Sequence, residues 1–317
     1  MPTLLLWQTP SISPDAMSGL PRVLITGGEG QLGFELARAL QSKADVFALD
    51  RHALDLSNPD SIAARCREIK PALILNPGAY TAVDKAESEP DLAMAVNGVA
   101  PGILGEEAKR LGVPVMHFST DYVFDGTGTK PYREADAPNP QNVYGRTKLA
   151  GEVALAHSGA TQFTFRTSWL YCNRRQNFYL TMLRLARERD ELRVVADQIG
   201  APTWVRPLAE HALKAVRVAN GRSEIAIEPG FYHLTASGQT SWHGFAEAIL
   251  AAVADPARRA KRINAITTAE FPTPAARPAF SVLSNAKLAS AIGAEMDDWA
   301  AALSNCAREW VQPSKSS

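Results

Sequence analysis

Residues 22–33 read RVLITGGEGQLG and decide the fold of this chain of 317 residues. The first five residues are an apolar, β-branched run that is typical of a buried strand. Three glycines follow at the spacing Gly27-x-x-Gly30-x-x-Gly33, and a helical repeat of apolar residues begins at residue 31. Glycine permits a tight turn and lets main-chain N–H groups approach a pyrophosphate at a helix N-terminus. The stretch therefore predicts a dinucleotide-binding turn, although the glycines alone would also suit an ordinary turn.

The next predicted strand ends in Asp50, which strengthens that interpretation. An acidic side chain at this position binds the ribose hydroxyls of a dinucleotide. Arg51 follows it and leaves the choice between NADH and NADPH open, because an arginine can accept a 2′-phosphate or simply lie on the surface as a solvated charge. Asp55 and Leu56 suit adenine, since they offer a carboxylate for the exocyclic amine and an apolar wall for the ring.

Strands alternate with helices over the first half of the chain. Such alternation predicts parallel β-α-β units, with crossover helices on both faces of the sheet. We therefore expect an α/β fold with a doubly wound parallel sheet of the Rossmann type. The predicted strands are 22–26, 46–50, 72–76, 113–119 and 163–167, and the predicted helices are 31–42, 59–69, 84–111 and 143–156.

The regular alternation of strands and helices ends after residue 170. There we expect a helix at 177–189, a strand at 192–195, and loops at 197–203 and 271–278. These boundaries predict a dinucleotide-binding domain over 21–170 and a smaller C-terminal substrate-binding lobe over 171–317, interleaved with the last strands. Residues 1–20 are expected to be a disordered extension, and Met17 is our hypothesis for the natural start, because the fold-like pattern begins only at residue 22.

The composition excludes several classes of protein. Lysine and arginine number 33 and aspartate and glutamate 33, so the formal net charge is zero, which argues against binding to nucleic acid or to a membrane surface. It leaves a locally bound anionic ligand possible. We find no apolar run of about 20 residues that would suit a transmembrane helix. The cysteines, at positions 66, 172 and 306, lack metal-ligand spacing and predict reduced, mostly buried thiols in a cytoplasmic protein.

Tyr144 and Lys148 are the candidate catalytic pair. Their spacing of four residues places both side chains on one face of the predicted helix. A lysine ammonium beside a phenol is expected to lower the tyrosine pKa, and such a tyrosine can donate or take a proton at a carbonyl or alcohol oxygen. Thr120 and Asp121 follow the fourth strand, where ligands bind in doubly wound sheets. The alternatives are a solvated surface pair and, for Thr120, a turn hydroxyl.

The chain resembles the extended short-chain dehydrogenase/reductases and, among them, the family of dTDP-4-dehydrorhamnose reductases. The resemblance covers about residues 22–303. The segments that carry it are YTAVDKAE (80–87), FSTDYVFD (118–125), NVYGRTKLAGE (142–152), FRTSWLY (165–171), DQIGAPT (197–203), YHLTASG (232–238) and PTPAARP (272–278).

The resemblance implies reduction of the C4 ketone of dTDP-4-dehydro-L-rhamnose, with NADPH or NADH, to dTDP-L-rhamnose. It implies a monomer or homodimer with Thr120, Tyr144 and Lys148 as catalytic residues. A reductase of another nucleotide-linked keto sugar and a non-catalytic regulatory subunit of methionine adenosyltransferase remain as alternatives. The implied cofactor-binding residues are Gly30, Gln31, Leu32, Asp55, Leu56, Ala79, Tyr80 and Thr81, and the implied substrate-binding residues are Thr120, Asp121, Trp169 and Arg277, of which Trp169 and Arg277 also suit packing and a surface ion pair.

The sequence departs from the family at two places. Pro77 and Gly78 stand where the family usually has alanines, so we expect the local backbone beside the cofactor to differ from that of the family. Some members bind magnesium between subunits through glutamates. Glu35 matches one ligand position, but Arg206 stands where a second acid is expected, so we predict no metal and no effect of EDTA.

Overall fold

The computed structural model describes residues 19–219 and 221–310, so Met17 and nearly all of the predicted N-terminal extension lie outside the described residues. The strands are β1 Arg22–Thr26, β2 Asp45–Leu49, β3 Leu73–Asn76, β4 Val115–Thr120, β5 Gln162–Thr167, β6 Leu170–Tyr171, β7 Glu191–Val195, β8 Ile199–Gly200, β9 Thr203–Trp204, β10 Val216–Ala219, β11 Arg222–Ile225, β12 Gly230–His233, β13 Thr240–Ser241 and β14 Arg262–Ile266.

The α-helices are α1 Gln31–Leu40, α2 Pro59–Ile69, α3 Val83–Ala86, α4 Pro90–Met94, α5 Ala100–Leu111, α6 Val143–His157, α7 Phe178–Glu188, α8 Val205–Ala212, α9 Trp242–Ala252, α10 Ala286–Ile292 and α11 Trp299–Arg308. A π-helical turn covers Ala95–Val99, and 3₁₀ turns cover Asp121–Val123, Leu213–Ala215 and Thr268–Glu270. Within the described residues, none of the helices is both long and apolar enough to span a membrane.

Six of the described strands form the central sheet, in the order β12-β5-β4-β3-β1-β2. Every neighbouring pair in it is parallel, which confirms the doubly wound parallel sheet. β1 lies between β2 and β3, so the chain leaves β1 on one side and later returns on the other. In open α/β sheets this reversal of direction opens a crevice at the carboxyl ends of the two central strands, and ligands bind there.

Apolar side chains cover both faces of the sheet because the residues of β1 alternate between them. Val23 and Ile25 belong to one buried cluster, whereas Leu24 belongs to another that also contains Ile62 of α2 and Leu104 of α5. The first cluster includes residues from the C-terminal part of the chain, among them Phe245 of α9. Burial on both faces makes the strands continuously apolar, which is why they were predictable from the sequence.

Helix α6 packs against the sheet through small and charged residues. It begins at Asn142, whose side-chain oxygen accepts a hydrogen bond from the N–H of Gly145 at 2.7 Å. A Cβ at Gly151 would collide with the main-chain oxygen of Asn97, so glycine is needed for the close approach. One turn beyond Lys148, the buried carboxylate of Glu152 accepts two hydrogen bonds from Arg166 of β5, at 3.0 and 2.7 Å.

The structure refines one sequence prediction and differs from another. The segment 84–111, predicted to be mostly helical, is divided among α3, α4, the π-helical turn and α5. The predicted loop over 197–203 contains β8 and β9, which pair with β13 and β6 respectively. Both pairings join residues that are distant in sequence, so no local sequence pattern predicts them. The predicted boundary at residue 170 stays a prediction; the entry of β12 into the sheet agrees with an interleaved lobe.

Glu152→Ala is expected to lower the free energy of unfolding by about 3–5 kcal/mol, because it leaves the buried Arg166 guanidinium without its counter-ion. Urea denaturation measures the loss. The matched control is Glu68→Ala, which breaks the exposed ion pair with Arg65 and is expected to cost less than about 1 kcal/mol. Equal losses in the two variants would contradict the anchoring of α6 by this pair.

Candidate active site

A cleft of about 650 Å³ lies at the carboxyl ends of β1, β3 and β4, and it gathers most of the residues that the sequence singled out. Asp55, Leu56, Tyr80 and Arg277 are not among its lining residues. The predicted site residues that line it are Gly27, Gly30, Gln31, Leu32, Gly33, Asp50, Arg51, Ala79, Thr81, Thr120, Asp121, Tyr144, Lys148 and Trp169.

The glycine turn forms one end of the cleft. Gly27 has a φ of 57°, a left-handed conformation that favours glycine. A Cβ at Gly33 would collide with the main-chain oxygen of Gly27, so the third glycine lets α1 pack directly on the turn. No side chain caps α1 at Gly30. An uncapped helix N-terminus carries unpaired N–H groups and a partial positive charge, which makes this end of the cleft suitable for an anion.

The wall of the cleft that contains Gly78 also lies very close to the glycine turn. A Cβ at Gly27 would lie 2.9 Å from the Cα of Gly78, and a Cβ at Gly78 would collide with Thr26 and Leu56. The N–H of Gly78 donates to Thr26 Oγ1 at 3.0 Å. A glycine is therefore required at position 78 in this chain. Leu56 packs against Gly78 and is not among the residues that line the cleft, so its adenine contact stays a prediction.

Asp50 and Arg51 lie side by side at the rim of the cleft. Asp50 Oδ1 accepts the main-chain N–H groups of Ala53 at 2.8 Å and His52 at 2.9 Å, which hold the pKa of this carboxyl below its usual value. Asp55, by contrast, accepts the hydroxyl and the N–H of Ser57, and these bonds lower its pKa. Both carboxylates are thus ionised near neutral pH and fixed in direction.

Thr120, Asp121 and Tyr144 come together as predicted. Thr120 Oγ1 donates to Asp121 Oδ1 at 3.0 Å and accepts the N–H of Tyr122 at 3.1 Å. Burial raises the pKa of Asp121 to about 6. Desolvation also raises the pKa of Tyr144 to about 12, while its hydrogen bond with Thr120 acts in the opposite direction.

Lys148 is buried, and its Nζ donates to the main-chain oxygen of Phe118 at 2.6 Å. Nζ also lies 3.4 Å from His117 Nε2. Burial lowers the pKa of Lys148 to about 8. We expected Lys148 to lower the Tyr144 pKa, and the structure reverses that direction. The physical reason is that desolvation dominates for the phenol, while the hydrogen bonds of the amine are directed to β4.

Trp169 is held in an unusual conformation on the far wall. Its φ is 48°, which is rare for an aromatic residue and marks a strained position. The indole stacks on Trp242 with ring centroids 3.5 Å apart and planes 7° from parallel, and its other side packs on Gly200. Trp242 also lines the cleft. The sequence did not reveal Trp242, because it begins a distant helix and belongs to no local motif.

Residues 172–177 connect the far wall of the cleft to the glycine turn through side-chain hydrogen bonds. The sequence did not predict these contacts either. Arg175 has a φ of 60° and donates from Nη2 to Glu29 Oε2 at 2.6 Å. Asn177 Nδ2 donates to Gln31 Oε1 at 3.1 Å. Arg175 therefore adds a third basic side chain to the cleft, beside Arg51 and Lys148.

Two predicted site residues direct their side chains elsewhere. The Arg277 guanidinium donates to both carboxylate oxygens of Asp84, at 2.9 and 2.8 Å, and also to Thr273 Oγ1. This contact lowers the pKa of Asp84. Tyr80 donates its hydroxyl to Glu89 at 2.6 Å. In this structure Arg277 fixes a loop to α3, and the neighbours of Tyr80, Ala79 and Thr81, line the cleft.

Two arginines bind the carboxylate of Glu35, the residue that matches a metal-ligand position of the family. Its buried carboxylate accepts hydrogen bonds from Arg38 at 2.6 Å and from Arg206 at 3.2 Å. Two guanidinium groups on one carboxylate oppose a divalent cation electrostatically. Over residues 19–219 and 221–310 no cluster of three or more His, Cys, Asp and Glu side chains is arranged to hold a metal. The three cysteines are free and buried, as predicted.

Residues 21–311 match the family model described as the RmlD substrate binding domain. The chain is 48% identical over 293 residues to the dTDP-4-dehydrorhamnose reductase of Burkholderia thailandensis, covering 91% of this chain and 98% of that relative. It is similar to the crystal structure of the Bacillus anthracis dTDP-4-dehydrorhamnose reductase in complex with NADP (TM-score 0.82, 35% identity, 91% and 99% of the two chains). A UDP-glucose 4-epimerase of Thermus thermophilus in complex with NAD shares the fold (TM-score 0.74, 20% identity, 92% and 100%).

Proposed function

The chain belongs to the family that carries the RmlD substrate binding domain, and we propose that it reduces the C4 ketone of dTDP-4-dehydro-L-rhamnose to dTDP-L-rhamnose with NADPH or NADH. The relatives named above support this substrate. We propose further that the reaction takes place in the cytoplasm and that the enzyme is a monomer or a homodimer.

The observation that carries the proposal is the meeting of three elements in one cleft. The glycine turn after β1, Thr120 at the end of β4, and the Tyr144–Lys148 pair of α6 all line the same space. A protein that only binds a dinucleotide needs the first of these but has no use for a proton donor beside a threonine hydroxyl. The arrangement therefore favours a reductase over a non-catalytic regulatory subunit.

The cleft fits a dinucleotide. The uncapped N-terminus of α1 suits its pyrophosphate, Asp50 suits a ribose hydroxyl pair, and Arg51 suits a 2′-phosphate. When bound, the reduced nicotinamide supplies a hydride to the carbonyl carbon. We assign to cofactor binding the lining residues Gly27, Gly30, Gln31, Leu32, Gly33, Asp50, Arg51, Ala79, Thr81, Tyr144 and Lys148. The cofactor contacts of Asp55, Leu56 and Tyr80 remain part of the proposal, although these residues do not line the cleft.

Tyr144 supplies the proton. Its raised pKa keeps the phenol protonated near neutral pH, so it can donate to the oxygen that gains negative charge as the ketone is reduced. Thr120 binds the same oxygen and orients it. Lys148 holds the ribose on the nicotinamide side and, as a cation, stabilises the phenolate that Tyr144 leaves behind. Holding these groups in one geometry removes much of the entropic cost of the reaction.

We assign the sugar to the wall formed by Thr120, Asp121 and Trp169. Trp242 and Gly200 cover the faces of the Trp169 indole, so its apolar edge is the part that contacts a sugar ring, and a buried carboxylate orients hydroxyl groups. Arg277, the expected diphosphate contact, is held by Asp84. Its role in this proposal is to fix the loop beside α3, and we assign a phosphate contact to Arg175, which lines the cleft beside its partner Glu29.

The decisive experiment supplies the purified chain with NADPH and with dTDP-4-dehydro-L-rhamnose generated in situ. We expect NADPH absorbance to fall and dTDP-L-rhamnose to accumulate. No turnover with this sugar but turnover with another nucleotide-linked keto sugar would support the first alternative. No turnover with either, together with retention of a methionine adenosyltransferase catalytic subunit in a pull-down, would overturn the enzyme assignment.

Tyr144→Phe is expected to lower kcat by about 10²–10⁴-fold, because the variant has no proton to donate. The Kd for NADPH, measured by fluorescence, is expected to change little. Tyr132→Phe is the matched control, since the Tyr132 hydroxyl binds Gly128 and Asp125 outside the cleft and its loss is expected to leave kcat near the wild-type value. A Tyr144→Phe rate close to wild type would refute the assignment.

The wild-type kcat/KM is expected to fall as the pH rises through about 8. Lys148, whose pKa is about 8, is protonated below that pH and loses its charge above it. The Tyr144 phenol, with a pKa of about 12, stays protonated over this range. A pH–rate profile at constant ionic strength measures the basic limb. A rate that stays constant up to roughly pH 10 would contradict the need for a charged Lys148.

A further inference from the structure

A chain of buried polar groups runs beneath the cleft, and the proposed mechanism makes no use of it. Thr26 at the end of β1 donates its hydroxyl to Asn76 Oδ1 at 2.6 Å. Asn76, at the end of β3, places its Nδ2 3.0 Å from His117 Nδ1, and the two residues are paired in the sheet. His117 Nε2 lies 3.4 Å from Lys148 Nζ. At the other end, Thr26 Oγ1 accepts the N–H of Gly78.

Each link of this chain lies inside the protein. The exposed fractions of Thr26, Asn76, His117 and Lys148 are 0%, 1%, 1% and 1%. Buried polar groups are costly unless all their hydrogen-bonding atoms are satisfied, and an apolar residue would fill the same position on β4 at lower cost. Both ring nitrogens of His117 have a partner, so the imidazole bridges β3 and α6 instead of merely filling space.

We propose that His117 is a positioning residue, which holds the Lys148 amine beneath the cleft and, through Asn76 and Thr26, joins it to the main chain of Gly78 on the cofactor wall. The proposal rests on the reductase function assigned to Lys148. The neutral Lys148 amine then accepts the N–H of His117 Nε2 and donates to the Phe118 carbonyl, and its second N–H serves the cleft that Lys148 lines.

The hydrogen-bond pattern also assigns the proton of the imidazole. Because Thr26 donates to Asn76 Oδ1, Asn76 Nδ2 donates to His117 Nδ1, and a neutral imidazole then carries its proton on Nε2. Burial holds the His117 pKa well below its usual value, so the ring stays neutral. An N–H that faces Lys148 Nζ disfavours the ammonium and favours the neutral amine. His117 thereby adds to the effect of burial on Lys148.

The other groups around this pair do not replace His117. Glu152 of α6 is the carboxylate whose charge acts on Lys148, but Arg166 of β5 binds both of its oxygens. Thr164, the neighbour of His117 on β5, donates its hydroxyl to Gln162. From β3 the facing group is the uncharged amide of Asn76.

Two amide variants of His117 test the proposal, because they differ in reach. Glutamine places its amide where Nε2 lies and keeps a contact with Lys148, whereas asparagine reaches only the Nδ1 position and keeps the contact with Asn76. We expect the basic limb of the His117→Gln profile to stay near the wild-type pH, because the glutamine amide N–H replaces the N–H of His117 Nε2. The basic limb of the His117→Asn profile is expected to move to higher pH.

The controls separate positioning from structural support. Thermal unfolding reports on stability, and a purely structural role would lower the Tm of both variants without moving the basic limb. A basic limb at the wild-type pH in His117→Asn, or equal shifts of the basic limb in the two variants, would overturn the proposal. If His117→Asn does not fold, Thr26→Val decides, since it breaks the chain at its far end. A moved limb supports the proposal and an unmoved limb overturns it.

The pH dependence of NADPH binding distinguishes this proposal from the function itself. If the wild-type protein does not turn over the keto sugar, the proposed function fails. The Kd for NADPH, measured against pH in wild type and in His117→Asn, still reports the protonation of Lys148. A midpoint that differs between the two proteins supports the link to His117, and identical midpoints overturn it.

Discussion

The site depends on one constraint, which is that buried charged side chains fix the position of α6 on the sheet. Lys148 and Glu152 lie one turn apart on the buried face, and each is met by its own partner, the Phe118 carbonyl of β4 and the Arg166 guanidinium of β5. Apolar side chains allow a helix to slide or rotate at small cost, whereas two directed contacts on two strands fix both register and rotation. Because α6 is fixed in this position, Tyr144 lies at the end of β4, beside Thr120.

The sequence predicts the first half of the fold well because its signals are local. The bounds of β1 and α2 match their predicted ranges, since a β-branched run before glycine and a proline at a helix start act over a few residues. The interruption before α5 was not predictable in the same way. Asn97, in the π-helical turn, hydrogen-bonds the main chain of Tyr80 and the hydroxyl of Thr147, and these partners are distant in sequence.

The residues of the candidate site also divide into those that a local sequence motif predicts and those that depend on contacts between distant residues. The glycine turn, the Tyr144–Lys148 pair and Thr120 are each visible as a motif, because chemistry demands given residue types at a given spacing. Trp242, Arg175 and His117 have no such spacing, and their importance comes from the residues that the fold brings against them. Arg277 shows the reverse case, because its type suits a phosphate but the fold supplies the nearer carboxylate of Asp84.

Desolvation raises the pKa of Tyr144 and lowers the pKa of Lys148, and only the first of these shifts by itself suits a reduction. Withdrawal from water favours the neutral form of each group, so it keeps the phenol protonated and weakens the hold of the lysine on its proton. A proton donor must keep its proton until the alkoxide forms, and an alkoxide is basic enough to take it from a phenol of raised pKa. A dinucleotide brings negative phosphate charge into the cleft that Lys148 lines, and negative charge in the same cleft favours the ammonium form of Lys148. A chain with zero net charge can therefore bind an anionic ligand through local groups, and the ligand's own charge favours the cation that stabilises the phenolate.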